Sequence, residues 1–149
     1  MVRLSPLLLA LAAFGLSAAS PAVAQSEEEI YANIEALHGD ADGFFEVFSL
    51  IQEAMQFGDP VTIAANAAYP LTVQANGEVY DLFSEADFVD NYDSLVMVET
   101  QSAIANLDVD ELIVTGDGVG LAGGAMWLTN ICRDDSCNET YWAIIAINN

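Results

Sequence analysis

The chain has 149 residues, 54% of them apolar, and sets 23 Asp and Glu against 2 Lys and Arg for a formal net charge of −21. It contains no lysine, which removes Schiff-base chemistry and the phosphate grip of a P-loop. Nucleic acid and anionic lipid surfaces are excluded as partners on the same ground, since both are held by Lys and Arg.

Residues 1–24 read as a secretory signal. Arg3 precedes an apolar run over 7–16, and Ala22-Val23-Ala24 is a small-residue site that places cleavage before Gln25. The run is shorter than the roughly 20 residues of a membrane span. A periplasmic or secreted protein is expected, with no membrane association once the signal is removed. Arg133 is then the one arginine against 23 carboxylates, a charge of −22. Such acidity suits solubility or salty surroundings; the alternative is attraction to a cationic protein partner. Residues 25–149 suit one domain, able to bury about two-thirds of its surface.

Ser26-Glu27-Glu28-Glu29 has the form of a capping box, and Ile30, Ile34 and Leu37 follow at helical spacing. The stretch from His38 to Gly43 breaks that helix. A second is predicted over 44–57, with Phe44, Phe48, Ile51 and Met55 on one stripe. Asp59-Pro60 starts a third, Asp as cap and Pro first, and Pro70 is expected to end it near Tyr69. Strands over 71–75 and 78–82 flank Asn76-Gly77, a two-residue hairpin signal. Ser84 caps a helix with Phe88, Tyr92 and Leu95 inward, and 99–106 is read as helical. Three or four more strands are expected, over 112–115, 119–122, 125–132 and 140–147. Asp117-Gly118 is read as a turn and Gly123-Gly124 as a bulge that lets the sheet bend. Helices first and strands last, with short connections, predict an α+β fold with a mostly antiparallel sheet.

Cys132 and Cys137 are expected to pair in an oxidising compartment. Their spacing fits neither C-x-x-C redox chemistry nor zinc. A disulfide closing so small a loop stabilises by about 2 kcal/mol and reads as a clip.

Several motifs resemble sites without meeting their requirements. Gly118-Val119-Gly120-Leu121-Ala122-Gly123 spells G-x-G-x-x-G, but a dinucleotide site needs a helix to open there, and Met126-Trp127-Leu128-Thr129 is strand-like. No cofactor is expected. Asp40-Ala41-Asp42-Gly43 lacks the closing Glu of an EF-hand. His38, the single histidine, is read as a solvated helix end, and neither a metal site nor a catalytic residue is assigned. Among the aromatic residues, Phe45 and Tyr141 are noted, and Phe48, Tyr69, Trp127 and Trp142 are the candidate lining of an apolar pocket; their plain alternative is core.

Over residues 44–149 the segments together resemble the nuclear transport factor two-like superfamily. The residues that carry the likeness are Phe44-Phe45, Ile51-Gln52-Glu53-Ala54-Met55, Gly58-Asp59, Tyr69-Pro70-Leu71, Asp87-Phe88, Tyr92-Asp93, the run Gly118 to Trp127, and the closing Ile144-Ile145-Ala146-Ile147-Asn148-Asn149. The chain looks most like its small exported bacterial members without assigned activity, with 25–43 as a preceding helix and loop. The resemblance implies N-terminal helices packed on a strongly curved, cone-like sheet, with a homodimer through the sheet as one arrangement. Three functions stay open on this reading. The first is an exported, non-catalytic binding module with an apolar pocket for a small apolar ligand. The second is an isomerase- or dehydratase-type enzyme using an acid such as Asp59 or Asp81 beside a Tyr. The third is an acidic binder of a cationic protein.

Overall fold

The computed structural model describes residues 25–149, so the signal assigned to 1–24 lies outside the described residues. The chain begins with α1 (Glu27–His38), whose capping box forms as expected: Glu29 N donates to Ser26 Oγ, and Ser26 N to Glu29 Oε2. Ile30 and Ile34 are buried, but Leu37 is exposed; the apolar stripe of α1 ends one turn early. The break is confined to Gly39 and Asp40, and α2 (Ala41–Phe57) starts earlier than the sequence suggests. The Asp40 carboxylate accepts from Gly43 N, which lets a glycine sit in the first helical turn. Phe44, Phe48, Ile51 and Met55 are all buried, as their spacing predicts.

Next come α3 (Pro60–Ala65), β1 (Ala67–Ala75), β2 (Glu78–Leu82), α4 (Glu85–Leu95) and α5 (Val98–Ala105). The third helix stops at Ala65 rather than near Tyr69. Residues 67–70 instead belong to a strand, because Asn66 O accepts Ile144 N at 2.8 Å and Ala67 pairs with Ile144. Pairing with a distant strand overrides the helix preference of Ala67 and Ala68. The Asn76-Gly77 hairpin forms in the register its two-residue turn demands, Ala75 opposite Glu78. Ser84 caps α4, and Phe88, Tyr92 and Leu95 are buried. Gln52 of α2 donates to Ile104 O and Leu107 O, tying α5 and its exit to α2.

The remaining strands are β3 (Ile113–Thr115), β4 (Gly118–Leu121), β5 (Met126–Cys132) and β6 (Thr140–Asn148). They complete a six-stranded sheet of order β2-β1-β6-β5-β4-β3. All pairings are antiparallel except β1 with β6. The fold is therefore α+β with helices packed on a mostly antiparallel sheet. The turn between β3 and β4 is Gly116-Asp117, one residue earlier than Asp117-Gly118, since Thr115 pairs with Gly118. Gly123-Gly124 is not a bulge: residues Ala122–Gly124 form the short 3-10 turn that joins β4 to β5. The register irregularity falls at Trp127/Leu128, where β6 carries an extra residue between Ile144 and Ala146.

His38 is more than a solvated helix end. Its Nε2 lies 2.7 Å from Thr115 O, and its ring meets Trp142 edge-on at 5.4 Å. That contact ties the end of α1 to the far edge of the sheet. No helix among the described residues is long and apolar enough to cross a membrane.

Candidate functional site

Helix α2 has two faces. Opposite the buried stripe, Asp42, Glu46, Leu50, Glu53 and Phe57 recur at spacings of four, four, three and four, which places them on one outward ridge. Leu50 is 47% exposed and Phe57 74%. At the N-terminal end of the ridge Phe45 stacks on Tyr31 of α1, centroids 6.0 Å apart and planes within 5°. The Tyr31 hydroxyl donates to Asp42 Oδ1 at 3.1 Å, which holds the pair in place. Three shallow hollows follow the ridge. The first, of about 380 Å³, involves Glu27, Glu28, Tyr31 and Phe45. It shares Phe45 with a second of about 700 Å³, and Leu50 and Glu53 carry that one into a third of about 230 Å³ that reaches Phe57 and Asp59.

The electrostatics of this face have one sign. The Tyr31 hydroxyl is held above its ordinary value of 10.0, first by its hydrogen bond to Asp42 and then by partial burial and the charges of Asp42, Glu35 and Asp40. Asp59 is pushed the other way: the Thr62 hydroxyl, then the Thr62 and Val61 N–H groups, hold its carboxyl below the usual 3.8. It stays charged at the end of the groove. No lysine exists to offset these acids, and Arg133 is the one arginine among the described residues.

The four aromatic residues expected to line a pocket have separate surroundings. Phe48 and Trp142 are 3% exposed and belong to the core, where Phe44 stacks on Phe48 and meets Trp142 edge-on. Tyr69 lies on β1, its hydroxyl donating to Ala64 O at 3.0 Å. Burial, then the charges of Glu85 and Asp87, push that hydroxyl up to about 12. Trp127 pairs across β4 and β5 with Gly120, whose missing side chain makes room for the indole.

The acids considered for proton transfer are committed elsewhere. Asp59 caps α3 through Val61 N, Thr62 N and the Thr62 hydroxyl. Asp81 accepts from the Thr72 hydroxyl on an exposed strand edge. A general base working near neutral pH needs a raised pKa, and that of Asp59 is lowered. Residues 118–121 form a strand and no helix opens after Gly123, so the glycine motif has no phosphate cradle. Among the described residues no group of three or more His, Cys, Asp or Glu is arranged to hold a metal.

Cys132 and Cys137 form the disulfide, with Cα atoms 4.7 Å apart. Cys132 ends β5, whereas Cys137 sits within the loop rather than on β6. Arg133 N donates to Glu139 O to close that loop. The bridge fits an oxidising compartment.

The ridge residues escape a reading aimed at buried stripes, yet their helical spacing is visible in the sequence once the opposite face is also read. Compared with protein-family models, curated proteins and solved structures, the chain matches none of them.

Proposed function

We propose that this chain is an exported, non-catalytic binding module whose partner is a cationic amphipathic segment laid along α2. The observation that carries the reading is the ridge itself: exposed Leu50 and Phe57 in line with Asp42, Glu46 and Glu53, ending at Asp59. From Asp42 to Phe57 the helix rises about 22 Å at roughly 1.5 Å per residue. A partner helix of about four turns matches that length. Its Lys and Arg would oppose the carboxylates, and its apolar face would cover Leu50 and Phe57. Steering by the uniform charge would raise the association rate.

This reading is preferred to a small apolar ligand because Phe48 and Trp142 are almost wholly buried in the packed core, and the hollow that Trp142 borders is lined by Asp40, Glu46 and Arg133. It is preferred to proton-transfer catalysis because Asp59 and Asp81 are engaged in structural hydrogen bonds. Export is supported by the Cys132–Cys137 disulfide. Membership of the nuclear transport factor two-like superfamily is part of the same proposal; the arrangement it is set beside is three helices, a hairpin, two more helices and the remaining strands of a mostly antiparallel sheet.

Fluorescence anisotropy with a labelled Lys/Leu amphipathic helix, and a Glu/Leu helix as control, tests the reading. The basic peptide should bind and weaken about tenfold or more between roughly 20 and 150 mM salt. The double variant Leu50→Ser/Phe57→Ser should cost a further factor of about ten, both side chains being exposed and outside the core. Equal binding of the two peptides, or an unaffected double variant, would refute it.

A further inference from the structure

Beyond Glu46, between the start of α2 and the β5–β6 loop, lies a separate hollow of about 260 Å³. Its lining has both signs of charge: Asp40 and Glu46 come from the helical side, and Arg133 from the loop, beside Tyr141 and Trp142. The two sides are joined, because the Trp142 indole N–H donates to Asp40 O at 2.9 Å.

In a protein so rich in carboxylates, Arg133 would be expected to pair with one. Instead its guanidinium lies over the Tyr141 ring, 4.6 Å from the centroid, and no carboxylate among the described residues approaches within 4.0 Å. Stacking uses the face of the guanidinium and leaves its in-plane N–H donors available. The loop is already ordered: the Cys132–Cys137 bridge closes it, Arg133 N donates to Glu139 O, and Asp134 accepts from Ser136 N and Asn138 N. A cation held by stacking, the capping carboxylate of Asp40 and the carboxylate of Glu46 thus share one small space without touching.

We infer that this hollow is a binding site for a small zwitterion of the α-amino-acid type, its carboxylate on Arg133 and its ammonium on Asp40 and Glu46. A simple anion would meet the repulsion of the whole chain, whose net charge is −21. A zwitterion carries no net charge, so it is not repelled and gains both local contacts. The guanidinium fork suits a planar carboxylate. The volume is below that of drug-sized pockets, which run from roughly 300 Å³ upward.

The test is a thermal-shift screen of the twenty L-amino acids at millimolar concentration, followed by calorimetry of the best one with its amide and its N-acetyl derivative. At least one amino acid should raise the melting temperature. Its amide, lacking the carboxylate, and its N-acetyl form, lacking the ammonium, should each bind about tenfold more weakly or worse. Arg133→Gln should lose binding by a similar factor and Arg133→Lys should restore part of it, while Leu50→Ser/Phe57→Ser leaves it intact. The comparison of acid, amide and N-acetyl form on the unaltered protein stands even if a variant folds poorly. No amino acid raising the melting temperature, an amide as tight as its acid, or binding indifferent to Arg133→Gln would each overturn the assignment.

Discussion

Two tyrosines are withdrawn from water and given poor means to ionise. Tyr92 is 4% exposed, and its hydroxyl has only the Met55 sulfur as partner, at 3.7 Å. Burial, then the charges of Asp93 and Asp59, push it up to about 12; Tyr69 is raised to the same level. In the unfolded chain both titrate near 10. The folded state therefore holds the protons more tightly, and the stabilisation is complete below pH 10 and lost as pH rises from 10 towards 12. Urea midpoints should hold up to about pH 10 and fall steeply between pH 10 and pH 12 at constant salt. Tyr92→Phe should cost less than about 1 kcal/mol at pH 7, because a thioether is a weak acceptor, and should flatten the alkaline fall. An equally steep fall in the variant would show that other groups dominate. Asn149 shows a different residue-scale economy: its one amide side chain donates to Gln74 O and Leu95 O and accepts from Met97 N, joining β1, the end of α4 and the approach to α5.

At the scale of elements, the β3–β4 hairpin contains a sharp contrast between two glycines, Gly116 in the turn and Gly118 at the start of β4. A Cβ on Gly118 would run into the backbone oxygen of Leu128 on β5, which cannot rotate away. A Cβ on Gly116 would meet nothing within 4 Å. Gly118→Ala should therefore destabilise by about 2 kcal/mol or more, as overpacking against backbone does, and Gly116→Ala by less than about 0.5 kcal/mol. Equal urea midpoints for the two variants would mean that β4 does not lie against β5 in this register. Edge strand β2 presents exposed Glu78, Val79 and Asp81. Its two carboxylates disfavour pairing with a second copy along that edge, a common way of blunting an open strand.

At the scale of the whole molecule, a net charge of −21 on a chain with one folded domain is a cost to compactness, since like charges are brought closer on folding. Salt should relieve it. Raising NaCl from roughly 20 to 500 mM should lift the melting temperature by about 5 °C or more, because the screening length shrinks from about 20 to 4 Å. Differential scanning calorimetry checks this; a melting temperature that stays flat or falls would show that the acids are better compensated than their positions indicate. On the proposed function the same charge would favour basic partners at the α2 ridge, so self-repulsion and recognition would be two consequences of one composition.

Signals that act over a few residues determined much of this protein from sequence alone. Ser26 with Glu29, Asp59 with Pro60, Ser84, and Asn76-Gly77 each set an end or a turn through bonds reaching no further than four residues, and the Phe44–Met55 stripe named the buried face of α2. The α+β class follows from their order, and the lopsided charge from counting. Tertiary structure alone decided that residues 67–70 join a strand, that β1 lies parallel to β6, and that His38 reaches Thr115, 77 residues away. It also brought Trp142 to Asp40 across 102 positions, placing Arg133 opposite Asp40 and Glu46. These outcomes depend on which surfaces meet once apolar faces are buried together. No local preference encodes that, because the hydrogen bonds and charges concerned belong to segments that become neighbours only in the folded chain.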